Sequence, residues 1–318
     1  MIAVAVLVAV VTCESVVRAR AAGASSGTPL SRAAATLRVQ SFAVFDALSL
    51  AGKPDLRRFG IRRLQLVYER EVWGGHVERS EPATSDLRRL ARSLSGDVPV
   101  VLDVERWPVQ VAGAIDASTV EANIDRLIRI VETIRAEAPA LQIGFYGLLP
   151  IREYRIQYGA AIDPSRYAAA DSHWREGNAR LERLASHVDF VCPSLYTAHD
   201  LPGTGTYREY WKPVAVSAIR EARRYGKPVY PFLWPQFTDV DEDGRKVASR
   251  TDRRANHAYI PTGFWRQQLQ LMLTAADGAI VWSSDNAQLE GWNGSRAWWK
   301  VLHEFAAGLP RSVHSESE

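Results

Sequence analysis

One stretch of the chain, residues 98–108, constrains the fold more than any other. It reads Val-Pro-Val-Val-Leu-Asp-Val-Glu-Arg-Trp-Pro, with no polar side chain before Asp103. Such an apolar, β-branched run is typical of a strand buried on both faces of a parallel sheet. Side chains alternate along a strand, so Asp103 and Glu105 are expected on the same side, roughly 6.5 Å apart. In a closed barrel the carboxyl ends of the strands build the active site, which favours a catalytic role for this acid pair. The alternative is that the two carboxylates are only a loop acid and a helix N-cap.

Strand-like and helix-like segments alternate along the rest of the chain. The predicted strands are 42–45, 64–68, 98–103, 141–146, 188–195, 229–233 and 279–282. The predicted helices are 85–93, 118–137, 174–186, 207–225, 262–276 and 295–307. Ser118 and Glu121 have the spacing of a capping box. This alternation predicts an α/β fold, a distorted (β/α) TIM-like barrel of about seven parallel strands, forming a single catalytic domain over residues 38–308.

The two ends of the chain are predicted to lie outside that domain. Residues 2–11 are apolar but too few to span a bilayer, and Ala19-Arg20-Ala21 fits a signal-peptide cleavage site. We therefore expect a signal peptide over 1–21, a disordered leader over 22–37 and a flexible tail over 309–318. This organisation predicts a secreted or periplasmic protein without a membrane span, and it leaves open whether Cys13 is lipidated.

Composition and spacing argue against several function classes. A net charge of +3 on 318 residues is too small to indicate nucleic-acid binding. The two cysteines and seven histidines show neither a disulfide framework nor metal-ligand spacing. Residues 239–244 begin like a calcium loop, but Arg250 stands where that loop needs glutamate. The sequence therefore predicts no metal and no cofactor, and it leaves the oligomeric state open.

Aromatic and acidic side chains recur at the predicted carboxyl ends of the strands. They are Asp46, Tyr68, Tyr146, Tyr196, Phe232, Trp234, Trp282 and Asp285, with Trp107 directly after the acid pair. Each of these aromatic side chains, considered alone, is explained by packing in the core. Rings, hydroxyls and acids gathered around one acid pair suit a sugar, which stacks its C–H faces and hydrogen-bonds through its hydroxyls. The sequence therefore predicts a carbohydrate site that these residues line.

Four segments together resemble the hyaluronidase family of glycoside hydrolases, as in a distant bacterial-type relative. In chain order they are Asp-Val-Glu-Arg-Trp-Pro at 103–108, Gly-Phe-Tyr-Gly at 144–147, Cys-Pro-Ser-Leu-Tyr at 192–196 and Gly-Ala-Ile-Val-Trp-Ser-Ser at 278–284. The resemblance implies a distorted barrel of about seven strands. It also implies retaining endo-hydrolysis of a β-linked N-acetylhexosamine in a polysaccharide or glycosaminoglycan-like substrate, with substrate assistance.

The resemblance implies a role for each matching residue. Glu105 would be the general acid/base, and Asp103 would orient the substrate acetamide, whose carbonyl oxygen attacks the anomeric carbon. Tyr196 would hydrogen-bond near that acetamide, and Trp282 would form the floor of the sugar subsite. The family has a tyrosine near Phe232, and its disulfides and cysteine-rich module are missing here, so hyaluronan itself does not follow.

Two other functions stay open. The first is a glycosidase that combines Glu105 with a second carboxylate, such as Glu69, Glu71 or Asp285, on a sugar without an acetamide. The second is a barrel that binds glycan without catalysis. The sugar, the linkage and the choice between endo and exo action are not determined by the sequence.

Overall fold

A computed structural model describes residues 42–198, 207–241, 257–283 and 291–310. The predicted signal peptide and leader, Asp285, and most of the predicted tail lie outside the described residues. No helix in the described ranges is both long and apolar enough to cross a membrane.

The strands are short and mostly parallel. They are β1 Ala43–Ala47, β2 Arg62–Arg63, β3 Gln65–Tyr68, β4 Val100–Asp103, β5 Ile143–Phe145, β6 Phe232–Leu233, β7 Gln236–Asp241, β8 His257–Tyr259 and β9 Gly278–Trp282. One parallel sheet has the order β2-β1-β9-β6 and a second has the order β3-β4-β5, whereas β7 and β8 form an antiparallel pair. The prediction of an α/β fold with parallel sheets is confirmed.

Single parallel bridges link the two parallel sheets around residues 191–194. Cys192 bridges to Tyr146, next to β5, and Ser194 bridges to Phe232 in β6. Val191 also pairs with Val229. The predicted strand over 188–195 therefore exists as a run of bridges that lies between β5 and β6.

The helices cover the outside of the sheets. They are α1 Glu69–Val72, α2 Thr84–Ser93, α3 Ala117–Glu137, α4 Tyr154–Ile162, α5 Pro164–Arg180, α6 Glu182–Ser186, α7 Tyr207–Arg223, α8 Thr262–Ala275 and α9 Ala297–Ala307, with a 3₁₀ helix over Leu56–Phe59. One predicted helix, 174–186, is in fact the end of α5 followed by α6. The short α1 and α4 were not predicted.

The predicted capping box of α3 is wrong. Asp116 is the N-cap, and its Oδ1 accepts hydrogen bonds from the Thr119 backbone N–H at 2.7 Å and from the Ser118 hydroxyl at 2.9 Å. An aspartate carboxylate accepts these bonds more strongly than a serine hydroxyl can, so the helix begins two residues earlier than the box at Ser118 would place it.

The strands β1, β4, β5 and β9 bury both of their faces, as the continuous apolar runs predict, whereas the two arginines of β2 are exposed. An inner cluster takes Phe45 from β1, Val101 from β4 and Ile280 from β9. Their neighbours along each strand, such as Val44 and Leu102, belong to an outer cluster that packs under the helices. Alternation therefore sends one side chain inward and the next outward, and both find apolar surroundings.

Candidate active site

The acid pair lies where β4 ends. Asp103 is the last residue of this strand, and Tyr68 of β3 pairs with it. The strand does not continue to Glu105, so this glutamate lies in the following loop with its side chain 51% exposed. The Asp103 side chain is largely shielded, and its Oδ1 is buried without a hydrogen-bond partner among the described residues. One acid is therefore desolvated and the other faces solvent.

The surroundings of Asp103 favour its protonated form. Burial is the main cause that raises the pKa of Asp103 to about 7, the charge of Glu105 adds to it, and Glu69 contributes in the same direction. Arg152 opposes the shift because its cation favours the carboxylate. Below about pH 7 the Asp103 carboxyl therefore keeps its proton in the ligand-free site.

A second glutamate fixes the loop that carries Glu105. Glu69 Oε1 accepts hydrogen bonds from the backbone N–H groups of Glu105 at 2.9 Å and Arg106 at 2.7 Å. Glu69 Oε2 pairs with Arg106 Nε at 3.0 Å, and the Arg106 guanidinium lies 4.0 Å from the centre of the Trp73 ring. Both carboxylate oxygens of Glu69 thus accept structural hydrogen bonds. Glu71 likewise accepts from the Tyr68 backbone N–H at 2.6 Å, which caps α1.

Arg152 contacts the solvent-facing acid directly. Its Nη1 lies 2.5 Å from Glu105 Oε1 and donates to the Tyr146 hydroxyl at 3.0 Å. The guanidinium carbon is 5.3 Å from the centre of the Tyr146 ring. A single cation therefore joins Glu105 to the tyrosine side chains next to it.

Three tyrosines and one serine form a hydroxyl cluster. Ser194 Oγ lies 3.0 Å from the Tyr146 hydroxyl and 2.6 Å from the Tyr154 hydroxyl, and the latter accepts from the Tyr196 backbone N–H at 3.1 Å. Burial raises the pKa of Tyr196 well above its ordinary range, so its hydroxyl stays neutral. The cluster offers neutral donors and acceptors that suit an amide or a sugar hydroxyl.

The structure brings several of the predicted aromatic residues together in one compact group of rings. Tyr196 stacks on Trp282 with ring centres 5.2 Å apart and planes 19° apart. Trp234 contacts both rings edge-on, at 5.6 and 5.0 Å. Trp282 Nε1 donates to the Tyr68 hydroxyl at 3.2 Å. Trp282 and Tyr68 remain partly exposed, so they are the members of the group that a sugar could reach.

Two residues that were predicted to contact the substrate, Phe232 and Trp234, are buried and pack against other rings of the site. Phe232 is 1% exposed and packs against Tyr146 with ring centres 4.8 Å apart. Trp234 is also 1% exposed, and its Nε1 donates to Gln236 Oε1 at 3.0 Å. Phe232 therefore packs against the buried ring of Tyr146, and Trp234 packs against the partly exposed Trp282.

Two other predicted residues have partners of their own. Trp107 contacts Trp73 at 5.2 Å and packs against the outer cluster, away from the inner rings. Both carboxylate oxygens of Asp46 lie 2.6 Å from Lys53 Nζ, and Oδ1 also accepts from the Leu48 backbone N–H.

Sequence reasoning missed four side chains of this site: Glu69 as a structural acceptor, Arg152, Tyr154 and Ser194. Arg152 and Tyr154 follow a loop whose register no periodic pattern reveals. The one available signal was their place just after a predicted strand end, where the loops of a barrel build the site. Within the described ranges, no group of three or more His, Cys, Asp or Glu side chains could hold a metal ion.

Comparisons with known proteins give a likeness of fold. The chain superposes on a crystal structure of bee venom hyaluronidase with a TM-score of 0.54 and 14% identity, covering 84% of this chain and 99% of that one. Bee venom hyaluronidase in complex with a hyaluronic acid tetramer gives 0.51 and 14%, over 84% and 97%. This likeness supports an α/β, TIM-barrel-like fold. No protein-family model and no curated protein matches the sequence.

Proposed function

We propose that this protein is a retaining endo-glycoside hydrolase that cleaves a β-linked N-acetylhexosamine in a polysaccharide or glycosaminoglycan-like substrate. Glu105 is the general acid/base, and Asp103 orients the substrate acetamide. The fold shared with bee venom hyaluronidase supports a glycosidase in general terms. The arrangement of the site supports the choice of mechanism.

The observation that carries the proposal is the unpartnered oxygen of Asp103. A buried acceptor without a hydrogen bond costs roughly 1–3 kcal/mol, and at Asp103 it lies beside the second acid and the tyrosine hydroxyls, where a ligand that donates a hydrogen bond would remove this cost. An acetamide N–H is a donor of the right kind, and the neighbouring tyrosine hydroxyls can receive the rest of the group. Donation from this N–H favours the Asp103 carboxylate over its protonated form.

The reaction then needs no second protein nucleophile. The acetamide carbonyl oxygen attacks the anomeric carbon while Glu105 gives its proton to the departing glycosidic oxygen, and a cyclic oxazolinium forms. The Glu105 carboxylate then takes a proton from water, and that water opens the ring at the anomeric carbon. Two inversions give overall retention. Trp282 supplies a flat apolar surface for the sugar ring.

Two structural and cellular expectations belong to this proposal. We propose that the two parallel sheets close into one distorted barrel of about seven strands, which the bridges at residues 191–194 support. We also propose that the protein is exported, on the apolar run at residues 2–11 and the following small-residue site.

The two alternatives differ in how well the site supports them. A second carboxylate is poorly supported by Glu69 and Glu71, because both accept structural hydrogen bonds, and Asp285 lies outside the described residues. A glycan-binding barrel without catalysis is favoured by one observation, the ion pair that occupies Glu105.

The test is product release from hyaluronan, chondroitin, chitin, peptidoglycan and one polymer without acetamido groups. Wild type, Glu105→Gln and Asp103→Asn are assayed in parallel, with Glu121→Gln as a control because Glu121 pairs with Arg183 on the protein surface. We expect turnover of an acetamido polymer, at least 10²-fold lower in both site variants and unchanged in the control. A thiazoline mimic of the intermediate should inhibit.

Two other outcomes of this experiment would each favour one of the alternative functions. Turnover only of the polymer without acetamido groups would replace substrate assistance with a second carboxylate. Glycan binding without turnover by any variant would leave a binding barrel.

A further inference from the structure

The backbone that carries Arg152 is held by a hydrogen-bonded turn. The Arg152 backbone N–H donates to the Gly147 carbonyl at 2.8 Å, and Gly147 adopts a positive φ of 64°. Residues of α5 secure the same turn, since Asn178 Oδ1 accepts from the Ile151 backbone N–H at 2.9 Å and Trp174 Nε1 donates to the Ile151 carbonyl at 2.8 Å. The base of Arg152 is therefore a built feature of the fold.

The charged end of Arg152 has two partners of different kinds. Glu105 is an anion whose position is fixed by the Glu69 contacts of its backbone, and the Tyr146 hydroxyl is a neutral acceptor. The ion pair must open when Glu105 turns to the glycosidic oxygen. The Tyr146 hydroxyl and the face of its ring then still hold the guanidinium.

We propose that Arg152 is a positioning residue that holds the acid Glu105 in its ligand-free orientation and sets the pH at which the acid pair loses its last proton. This inference rests on the proposed function. According to this inference, Arg152, in the loop after β5, controls Glu105, the acid in the loop after β4.

The groups that act on the pair come from several elements. Among the described residues, Asp103 ends β4, Glu69 begins α1, and Arg152 with Tyr146 and Tyr154 comes from the segment after β5. Arg152 is the cation in direct contact with Glu105, whereas Arg106 is engaged by Glu69. Removing Arg152 leaves the two acids to repel each other without that cation, which favours the protonated form of the pair.

The test compares Arg152→Met, which keeps the length of the side chain without the charge, with Arg152→Lys, which keeps the charge. Arg183→Met is the matched control, because Arg183 forms an exposed double ion pair with Glu121 and Asp125. For Arg152→Met we expect kcat to fall about tenfold and the alkaline limb of kcat/KM to move up by about one pH unit. Arg152→Lys should keep the limb near its wild-type position, and Arg183→Met should change neither quantity.

A carboxyl titration tests the inference without any substrate. The ¹³C resonances of the Asp103 and Glu105 carboxyl carbons are followed against pH, and their last transition should move to higher pH in Arg152→Met only. If kcat fell while the alkaline limb of kcat/KM and the last carboxyl transition both stayed at their wild-type pH, the role of Arg152 would be purely structural, and the proposal would be overturned. Unmoved transitions in a variant whose thermal unfolding matches wild type would overturn it even if no glycan were turned over. A shifted titration without turnover would instead keep Arg152 as the charge partner and reject the proposed reaction.

Discussion

At the scale of single residues, the burial of Asp103 makes stability depend on pH. Its pKa is about 7 in the folded chain and 3.8 as an ordinary aspartate, so the folded state binds more protons between these values. The free energy of unfolding therefore falls as pH rises from about 4 to about 7, by at most about 4 kcal/mol, and is level above that range. An active site that keeps a desolvated acid gives up stability at its working pH.

Asp103→Asn tests this cost because asparagine stays neutral throughout. We expect the variant to gain stability over wild type progressively from pH 4 to 7, by about 2–4 kcal/mol at the upper end, while losing activity. Urea denaturation at four pH values measures the difference. Gly263→Ala, which changes no ionisable group, is the control and should show a difference that does not change with pH. A pH-independent difference for Asp103→Asn as well would contradict the assignment of the raised pKa.

At the scale of elements, the contact between α1 and the loop after β4 holds the acid in place. Glu69→Ala leaves the backbone N–H groups of Glu105 and Arg106 without their acceptor, so we expect at least a tenfold fall in kcat and a loss of about 1–3 kcal/mol in stability. Glu81→Ala removes an exposed pair with Arg126 and should cost under about 1 kcal/mol with unchanged kcat. Azide added to Glu69→Ala distinguishes the roles, because rescue of activity would make Glu69 a reacting carboxylate.

The strand β5 and the segment at residue 190 approach each other closely, just before the residues Tyr146 and Ser194 of the hydroxyl cluster. A Cβ on Gly144 would lie 2.5 Å from a ring carbon of Phe190 and 2.9 Å from the Phe190 carbonyl oxygen. Gly144→Ala must therefore push the two segments apart, and we expect a loss of about 1–3 kcal/mol in urea denaturation. Gly263→Ala in α8, where a Cβ meets nothing within 4 Å, is the control and should leave stability equal or higher by up to about 1 kcal/mol. Equal values for both variants would show that β5 has room to move.

The elements also show what a sequence pattern can and cannot reveal. Periodicity located β4 and the long α3, because a buried strand and an amphipathic helix each repeat an apolar signal over many residues. The contacts of Glu69 with the Glu105 loop and of Arg152 with Glu105 span 36 and 47 positions, and no local pattern records such distances. Phe232 and Trp234 were predicted to line the site because they lie at the end of a strand, where barrel enzymes place their functional residues. Both side chains are buried, and whether a side chain at a strand end faces the site or the core depends on packing that the sequence pattern does not show.

At the scale of the whole molecule, the bridges at residues 191–194 join the two parallel sheets along the seam between β5 and β6. Backbone hydrogen bonds cross there from Val191 to Pro228 at 2.9 Å, from Tyr230 to Val191 at 2.9 Å and from Leu195 to Phe232 at 3.0 Å. In a closed barrel these bonds break only when the sheets on both sides do. In two sheets that merely abut, they open by local fluctuation.

Native-state hydrogen exchange separates these cases. We expect the amides of Val191, Leu195 and Tyr230 to exchange with the same opening free energy as Ile280 in β9, which bonds to Pro231 at 2.8 Å. The Gly60 amide is the reference, because its bond to Arg57 has a similar length of 2.9 Å but only closes a local turn, and it should exchange several kcal/mol more easily. Exchange of Val191 and Tyr230 near the Gly60 level would mean an open edge beside Ser194 and Tyr196. Since those residues carry the hydroxyl cluster and the stacked ring, an open edge would leave the sugar subsite without a fixed wall, and the proposed orientation of the acetamide would fail with it.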